Sequence, residues 1–499
     1  MSLSRTVLTA LFALSLLAGV GPAAAAPDGA QLVTSKGCIA CHGVNGEGQA
    51  AAGFPRLAGQ PEAYLEAQLH NFASGRRINP VMQPQAKLLT ADEIKAAAKY
   101  YASLTPTRVG TVEADPKLIA AGREIAVNGL WQKNLPACEF CHGPGARGLA
   151  GIVPMLAGQG TVYLKSQLAD LKTGKHPDLH GHMMNVARHL STDEVNAVVA
   201  YLSSLEPTGP LPAGTEPDVA PGVADAMPGY FQPPLDKDLP DGEFGEAVKR
   251  GYLIFTQTPK YAADYVGNGQ SCSNCHLNRG RQANSAPMWG AWGMYPAYRS
   301  KNKKVNDMAM RLQGCFTYSE NAQASPTGKA PAADSQVMLD LESYMYWVST
   351  GVPTGEKMKG RGYAAIEQPP QPFSRERGSK VYAGECAICH GDHGQGLKVA
   401  DGSFVVPPLW GPDAYNWGAG MHGVDKAAAF IHHNMPMSVP GKLDIQQTWD
   451  VAAWINSQPR PQDPRFNGNL EETIQKFHKK RDVDFYGQTV DGVVLGAGK

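Results

Sequence analysis

Four Cys-x-x-Cys-His motifs constrain this chain more than any other feature of its sequence. The cysteines and the histidines that follow them are Cys38, Cys41 and His42; Cys138, Cys141 and His142; Cys272, Cys275 and His276; and Cys386, Cys389 and His390. This spacing presents two thiols to the vinyl groups of a haem and an imidazole to its iron. A lone Cys-x-x-Cys could be a redox dithiol or half of a zinc site, but four copies followed by histidine predict four covalently bound haems c.

The first 26 residues predict export from the cytoplasm. Arg5 gives a positive start, residues 7–20 form an apolar run, and residues 23–26 are small enough for cleavage. The run is short for a membrane span, and no later stretch approaches ~18 uninterrupted apolar residues. We therefore expect a signal peptide at 1–26, a periplasmic mature protein and no stable membrane insertion, with a retained N-terminal anchor as the alternative. Lys+Arg and Asp+Glu each total 45, so charge does not point to nucleic acid.

The first two motifs lie in a tandem repeat. The matching segments are 55–60 and 154–159, 64–69 and 163–168, and the capped helix starts 90–94 and 191–195. A Pro- and Gly-rich stretch follows, and then two more units with apolar helices near 334–349 and 446–458. The expected fold is mainly α, with four class I cytochrome c-like helical domains in tandem, each around one haem. The expected divisions are 1–26 (signal peptide), 27–106, 107–205, 206–240 (linker), 241–365 (catalytic domain), 366–470 and 471–499 (tail).

Methionines at regular spacing are the expected second ligands of three haem irons. Met82, Met183 and Met435 lie 40, 41 and 45 residues after the motif histidines of the first, second and fourth units. Core packing is the competing interpretation for each, because methionine fills irregular gaps well. The methionines that remain as alternatives are Met184 in the second unit and Met421 or Met437 in the fourth.

The third unit has a cysteine where the others have methionine. Cys315 lies 39 residues after His276, whereas Met308 and Met310 come earlier. A buried free cysteine is the bland alternative. We predict instead a thiolate bound to the haem iron, because Cys315 occupies the ligand position. A metal-bound thiol is deprotonated, and such an electron-rich ligand lowers the haem potential.

Cationic residues are concentrated around Cys315. Arg311 precedes it by four residues and Ser319 follows it by four, so the three would share one helix face if the segment is helical. Cations and a hydroxyl around a nucleophilic sulfur make a site for an anion. The predicted catalytic residues are Cys315, Arg311, Ser319, Lys301 and Arg299. For the nearby Lys303 and Lys304, a solvated surface is an equally good interpretation.

The second half of the chain resembles thiosulfate dehydrogenase, a dihaem c-type enzyme that couples two thiosulfates into tetrathionate. The resemblance covers residues 245–467 and includes GNGQSCSNCH at 267–276 and RLQGCF at 311–316. The other matching segments are 255–261, 295–302, 407–412 and 415–421. The resemblance implies His276 and Cys315 as ligands of the catalytic haem iron, and His390 and Met435 as ligands of the second. Some members place a lysine before this methionine as an exchangeable ligand, but this chain has Asn434, so we do not expect that exchange.

The first half resembles the dihaem class I cytochromes that accept electrons from such enzymes. The whole chain therefore resembles a fusion of the dehydrogenase with its acceptor, acceptor first. This implies a periplasmic tetrahaem oxidoreductase for thiosulfate and tetrathionate, with a small cytochrome, a high-potential iron–sulfur protein or a terminal oxidase as its electron acceptor. The alternatives are tetrathionate reduction at the same site, a pure electron carrier, and a related sulfur-oxidising cytochrome that loads thiosulfate onto a carrier protein.

Overall fold

The computed structural model of the protein is mainly helical, with three short two-stranded antiparallel sheets. It describes residues 27–497 apart from 112, 150, 152, 177, 179–180, 211–228, 236–237, 300–301, 399–401 and 481. The expected signal peptide at 1–26 and the centre of the expected linker therefore lie outside the described residues. No helix within the described ranges combines the length and the apolar character needed to cross a bilayer.

Four helical units follow one another, and each contains one of the four motifs. Unit 1 contains α1 (Gly29–Ser35), α2 (Ile39–His42), α3 (Glu62–Ala73), α4 (Met82–Lys87) and α5 (Ala91–Ser103). Unit 2 contains α6 (Pro116–Asn128), α7 (Cys138–His142), α8 (Thr161–Thr173), α9 (His182–His189) and α10 (Thr192–Ser204), with 3-10 turns at Trp131–Lys133 and Pro144–Ala146.

Units 3 and 4 add the strands. Unit 3 contains α11 (Gly242–Thr256), α12 (Thr258–Tyr261), α13 (Leu277–Gly280), α14 (Trp289–Trp292), β1 (Ala297–Arg299), β2 (Lys304–Asn306), α15 (Met308–Tyr318) and α16 (Gln336–Val348), with 3-10 turns at Ala263–Tyr265, Cys272–Asn274 and Ala322–Ala324. Unit 4 contains α17 (Arg375–Glu385), α18 (Ala387–His390), β3 (Leu397–Lys398), β4 (Phe404–Val406), the 3-10 turn Gly420–His422, α19 (Val424–Asn434), α20 (Ile445–Asn456), α21 (Leu470–Phe477), β5 (Thr489–Val490) and β6 (Val493–Val494).

The helix starts predicted from the repeat are confirmed. Thr90 and Ser191 each accept a hydrogen bond from the backbone of a glutamate three residues later, whose carboxylate bonds back to the capping residue. These reciprocal bonds satisfy amides that a helix start otherwise leaves unpaired. The late helices predicted near 334–349 and 446–458 are α16 and α20, within two residues at each end.

In each unit the first helix packs across a late helix: α1 on α5, α6 on α10, α11 on α16 and α17 on α20. A glycine of the first helix lies at each crossing: Gly29, Gly122, Gly251 and Gly378. An added Cβ would lie 2.8 Å from a backbone oxygen of the late helix at Gly29, and 1.9 Å from one at the other three positions. Because no side chain fits at these distances, these glycines set how closely the two helices approach.

We expect Gly378→Ala to destabilise the protein, because the new Cβ must push α17 away from the backbone oxygen of Asp450. The expected loss is about 1–3 kcal/mol, as for other overpacked sites. Gly384→Ala in the same helix is the matched control. Nothing lies within 4 Å of a Cβ there, so alanine should be neutral or stabilise by up to about 1 kcal/mol. Thermal unfolding followed by far-UV circular dichroism measures both, and equal midpoints would contradict this account of the crossing.

Units 1 and 2 are joined by hydrogen bonds that exchange across an approximate two-fold axis. The Gln60 amide donates to the carbonyl of Met155 at 2.8 Å and accepts from its N–H at 2.9 Å. Gln159 does the same with Arg56, accepting from its N–H at 2.9 Å and donating to its carbonyl at 3.1 Å. Both glutamines are buried. The two repeats therefore pack through equivalent surfaces.

Units 3 and 4 are joined by buried asparagines at the end of α15. Asn416 is fully buried, and its amide donates to the carbonyl of Thr317 and to the side chain of Asn321, both at 2.9 Å. Asn321 in turn donates to the carbonyl of Ala414 at 2.8 Å. A loop of unit 4 therefore fixes the C-terminal end of a helix of unit 3.

The C-terminal tail, to which the sequence assigns no role, packs into the core of unit 4. Ile474 on α21 and Phe485, Tyr486 and Leu495 beyond it are buried in the same apolar cluster as Trp449 on α20. Their burial removes apolar surface from water, which is the main driving force for such packing. The segment after α20 is thus structurally continuous with unit 4.

Candidate active site and cofactor sites

The four motif histidines are oriented in the same way. Each ring places Nδ1 at 2.8–3.0 Å from a backbone carbonyl. The accepting residues are Pro55, Pro154, Ala286 and Pro407. A carbonyl oxygen can only accept, so the N–H lies on Nδ1 and the lone pair lies on Nε2. This is the second-shell arrangement of a histidine that ligates a metal through Nε2, and burial favours the neutral ring by lowering the pKa of His276 to about 4.

The thiols and a buried guanidinium also fit haem. None of the nine cysteines forms a disulfide, and all nine lie within the described part of the chain. Arg56 is 1 % exposed, and two of its guanidinium nitrogens, Nε and Nη2, have no hydrogen-bond partner among the described residues. A buried cation with unused donors needs an anionic acceptor, and a haem carboxylate would provide one. The residues present therefore fit covalently bound haem.

The expected methionine ligands are placed at helix ends. Met82 is the first residue of α4, Met183 lies in the first turn of α9, and Met435 caps the C-terminus of α19. All three are partly exposed, and Met435 also packs against the core of unit 4. Ligation of the haem irons by these three methionines is therefore a proposal.

Arg311 and Cys315 form the central contact of the candidate active site. Both lie on α15, where their spacing of four residues places them one turn apart on the same face. Asp307 caps the start of this helix by accepting the N–H of Met310. The guanidinium Nη1 lies 3.0 Å from the sulfur of Cys315. A negative charge on that sulfur raises the pKa of Arg311. A guanidinium at hydrogen-bond distance stabilises a thiolate and leaves its other nitrogens able to bind an anion.

The other predicted catalytic residues lie at different distances from this pair. Ser319 caps the C-terminus of α15, and its N–H donates to the carbonyl of Cys315 at 2.8 Å. Arg299 is exposed on β1, where its guanidinium lies 6.0 Å from the ring centre of Tyr295. Lys301 lies outside the described residues. The structure thus brings Arg311 against the sulfur, keeps Ser319 at the end of the same helix and places Arg299 at the surface.

Two tyrosines near the Cys315 sulfur, and a buried glutamate that interacts with the Cys272 and Cys275 thiols, were missed by the sequence interpretation. Tyr295 and Tyr363 both interact electrostatically with Arg311, and Tyr363 also with the Cys315 sulfur. Glu320 is 4 % exposed, and its Oε2 has no hydrogen-bond partner among the described residues. Burial raises the pKa of Glu320 to about 8, so it is mostly neutral at pH 7 and does not repel an anion. Tyr295 begins the matching segment 295–302, although the match gives it no role, and no motif or periodicity marks Tyr363 or Glu320.

Unit 2 meets unit 4 where their motifs approach each other. Cys141 of unit 2 and Cys389 of unit 4 are close enough for their side chains to interact electrostatically. Near the expected ligands Met183 and Met435, the His182 ring contacts the Ser438 hydroxyl at 2.6 Å. The Asn185 amide donates to the Ser438 carbonyl. Ser438 is buried and follows Met435 by three residues. The cofactor regions of units 2 and 4 are therefore adjacent.

Comparison with known proteins defines the class of this one. Residues 26–105, 119–206 and 375–459 match the cytochrome c family, and residues 259–354 match the family described as SoxA/TsdA, cytochrome c domain. The predicted fold class is thereby confirmed. The protein is a multidomain c-type cytochrome with covalently bound haem c.

Similar proteins narrow the class further. Thiosulfate dehydrogenase from Stutzerimonas stutzeri is 54 % identical over 270 residues, covering 54 % of this chain and 86 % of that protein. The thiosulfate dehydrogenase electron acceptor of Thiomonas intermedia is 42 % identical over 189 residues, covering 37 % of this chain and 84 % of that protein. The solved structure of thiosulfate dehydrogenase (TsdBA) from Marichromatium purpuratum has a TM-score of 0.85 at 44 % identity, covering 94 % of this chain and 99 % of that one. The chain belongs to the thiosulfate dehydrogenase family and joins an enzyme half and a cytochrome c4-like acceptor half, as predicted.

Proposed function

We propose that this protein oxidises two thiosulfates to tetrathionate, with Cys315 as the nucleophile. The observation that carries the proposal is the contact of 3.0 Å between the Arg311 guanidinium and the Cys315 sulfur. In this proposal Cys315 and His276 are the iron ligands of unit 3, and Arg311, Ser319, Arg299 and Lys301 serve the anionic substrate. Family membership supports the same chemistry, because relatives of both halves are named for thiosulfate dehydrogenation.

The reaction separates into two steps that balance. The Cys315 thiolate forms a bond to the outer sulfur of one thiosulfate, and two electrons leave, which gives a protein-bound S-thiosulfonate. The outer sulfur of a second thiosulfate then attacks this sulfur, so that tetrathionate departs and the thiolate is restored. Two unit charges ~4 Å apart repel by about 4 kcal/mol at an effective dielectric constant of 20. Arg311 offsets this repulsion where the two anions meet.

Haem c, when bound at the four motifs, supplies one-electron redox chemistry. The proposed ligand pairs are His42 and Met82, His142 and Met183, His276 and Cys315, and His390 and Met435. We propose that electrons pass from unit 3 to unit 4 and leave the enzyme half where unit 4 meets unit 2. The neighbouring thiols of Cys141 and Cys389 support this exit. From unit 2 the electrons pass to unit 1 and then to a soluble carrier or an oxidase.

The direction of the reaction is tested by adding each sulfur compound separately. Thiosulfate added to the oxidised protein should reduce its haems rapidly, whereas tetrathionate added to the reduced protein should oxidise its haems more slowly. Haem absorbance follows both reactions. The reverse order would favour tetrathionate reduction. A lack of response to both compounds would leave the pure electron carrier. Cytochrome c-like units precede and follow unit 3 in the chain. They provide an outlet for electrons, which favours the oxidative direction.

A wedge at the boundary of units 2 and 4 should interrupt the electron exit. We expect Ser438→Arg to slow reduction of the first half by thiosulfate, because a long cation would replace a buried hydroxyl against α9. Ser438→Ala is the matched control, since it removes the hydroxyl contact without adding bulk. In stopped-flow absorbance the fast phase, reduction of the enzyme half, should be unchanged. The later phase, reduction of the first half, should be slower in the arginine variant only. Identical traces for the arginine variant and the unaltered protein would contradict this route.

The remaining assignments belong to the same proposal. We propose four domains with one haem each, at 27–106, 107–205, 241–365 and 366–470. The linker 206–240 joins the second domain to the third. Export of the chain to the periplasm, with removal of residues 1–26, would place it where thiosulfate and soluble electron carriers meet. Determination of the mature N-terminus and of the covalently bound mass by intact-protein mass spectrometry tests both points, because four haems and cleavage after residue 26 predict one mass.

A further inference from the structure

A buried cluster in unit 4 lies apart from the residues used in the proposed reaction. It contains His422 from the 3-10 turn before α19, and His478 and Asp484 from the C-terminal tail. One ligand atom from each residue lies within 4.8 Å of the other two. His478 and Asp484 are 1 % and 4 % exposed, and His422 is partly exposed. Three potential ligands from distant parts of the chain therefore converge on one point.

The surroundings of the cluster fix the orientation of each of its side chains. His422 Nδ1 lies against the carbonyl of Ala419, and His478 Nε2 lies 3.0 Å from the carboxylate of Asp463. Asp463 is itself held by the Arg465 guanidinium, with contacts of 2.9 and 2.6 Å. Asp484 Oδ1 accepts the N–H of Tyr486 at 2.9 Å. One ring nitrogen of each histidine and one oxygen of Asp484 are thus already used.

The three remaining atoms all act naturally as acceptors. His422 Nε2 and His478 Nδ1 lie 3.1 and 2.8 Å from the same oxygen, Asp484 Oδ2. If each ring keeps its proton on the nitrogen that faces Ala419 or Asp463, both inner nitrogens present lone pairs towards a carboxylate oxygen. Two lone pairs and an oxygen cannot hydrogen-bond to one another. Something positive must lie between them.

Protons or a cation can satisfy this arrangement, and the hydrogen bonds to Asp463 and Asp484 on either side of His478 raise the pKa of its ring. Either both rings carry a second proton, which places two imidazolium ions side by side with ring centres 4.9 Å apart, or one dication replaces both protons. The total charge is the same in the two cases. The dication avoids two adjacent buried cations on separate rings and uses both lone pairs directly. It also gives each ligating imidazole a hydrogen-bonded partner on its far side, as metal sites in proteins usually have.

We propose that His422, His478 and Asp484 bind one zinc ion. Two imidazole nitrogens and one carboxylate oxygen form a ligand set that zinc prefers, whereas magnesium and calcium prefer oxygen alone. His422 is the least buried of the three residues, so we expect water to reach the zinc from its side and to complete a tetrahedron. Asp463 and Arg465 would hold His478 in place without touching the metal.

The site has a structural consequence because its ligands come from both sides of α19 and α20. Zinc would tie the tail to the turn that begins α19, beside the bond from the N–H of Val424 to the carbonyl of Val483 at 2.8 Å. That helix ends at Met435. The ion would thus stabilise unit 4 by holding together segments that are far apart in sequence, and metal binding of this kind adds directly to folding free energy.

The test measures zinc in the full-length protein with its haems attached, expressed with zinc in the medium. Elemental analysis after gel filtration should find about one zinc per chain, since the cluster provides a single site. His422→Gln should lose most of that zinc. His70→Gln is the matched control, because His70 is an exposed histidine of unit 1. Equal zinc content in the two variants would overturn the proposal.

A second measurement does not depend on the folding of a variant. The unaltered protein is dialysed against EDTA, and its thermal midpoint is recorded before and after addition of zinc chloride at pH 6 and pH 8. We expect zinc to raise the midpoint by about 5 °C, and by more at pH 8, because binding displaces protons. No rise at either pH would mean that protons rather than zinc hold these side chains together, and the zinc proposal would be wrong.

Discussion

Cys315→Gly is expected to lose thiosulfate oxidation by about a thousandfold or more, as enzymes do when a nucleophile is removed. Without the sulfur no S-thiosulfonate can form, and the Arg311 guanidinium loses the group that it contacts at 3.0 Å. The variant should still carry all its haems, because the attachment cysteines of unit 3 are Cys272 and Cys275. Steady-state reduction of an artificial acceptor measures the loss, and intact-protein mass spectrometry counts the haems.

Met310→Gly is the control for this experiment. Met310 lies on the same helix with 47 % of its surface exposed, so the substitution introduces the same backbone flexibility into α15 without touching the sulfur. Its cost is that of glycine in a helix, about 1 kcal/mol, and turnover should be close to that of the unaltered protein. If Cys315→Gly kept a substantial part of the activity, covalent catalysis at this residue would be ruled out.

Arg311→Gln should have the second largest effect, a fall of about 10²–10³-fold in kcat/KM, similar to the loss of one donor in other preorganised anion sites. Glutamine is polar but neutral, so it does not offset the repulsion between the bound S-thiosulfonate anion and the incoming thiosulfate dianion. Because the charge is needed most when the second thiosulfate attacks, kcat should fall as well as KM rise. Arg311→Lys should recover part of the activity, since it restores the charge without the planar fork.

Lys329→Gln provides the charge-matched control. Lys329 is exposed in unit 3, so its substitution changes the net charge by the same amount at the surface. Its effect on kcat/KM should be small, and it should shrink further as salt screens surface charges. An equal loss in Arg311→Gln and Lys329→Gln would mean that only the overall charge matters, and the specific role of Arg311 would have to be abandoned.

The sequence was informative where chemistry requires a fixed local spacing. The Cys-x-x-Cys-His motifs, the repeated capping boxes and the pair Arg311 and Cys315 are all set by contacts within one or two helical turns. Each therefore leaves a pattern that can be recognised without knowledge of the fold. The family resemblance of the second half then gave the reaction class, which comparison with known proteins supports.

The remaining parts of the site depend on contacts between distant segments. Tyr363 lies 48 residues after Cys315, and the segment that joins units 3 and 4 brings it near the sulfur. Asn416 anchors the end of α15 from another unit. The sequence of the tail, which is charged and then rich in glycine and valine, indicates no role, yet its apolar residues pack into the core of unit 4. Such contacts follow from the packing of the whole chain, which local patterns do not encode.

The glutamine exchange between units 1 and 2 has the symmetry of a dimer within one chain. Gln60 and Gln159 occupy equivalent positions of the repeat and each bonds to the other unit's backbone. A surface that binds a second copy of itself is the isologous surface of a homodimer. Each repeat therefore presents to the other the kind of surface that would join two identical domains into a symmetric dimer. Because the partner atoms are backbone groups, the contact does not depend on the side chains of Arg56 and Met155, which differ between the repeats.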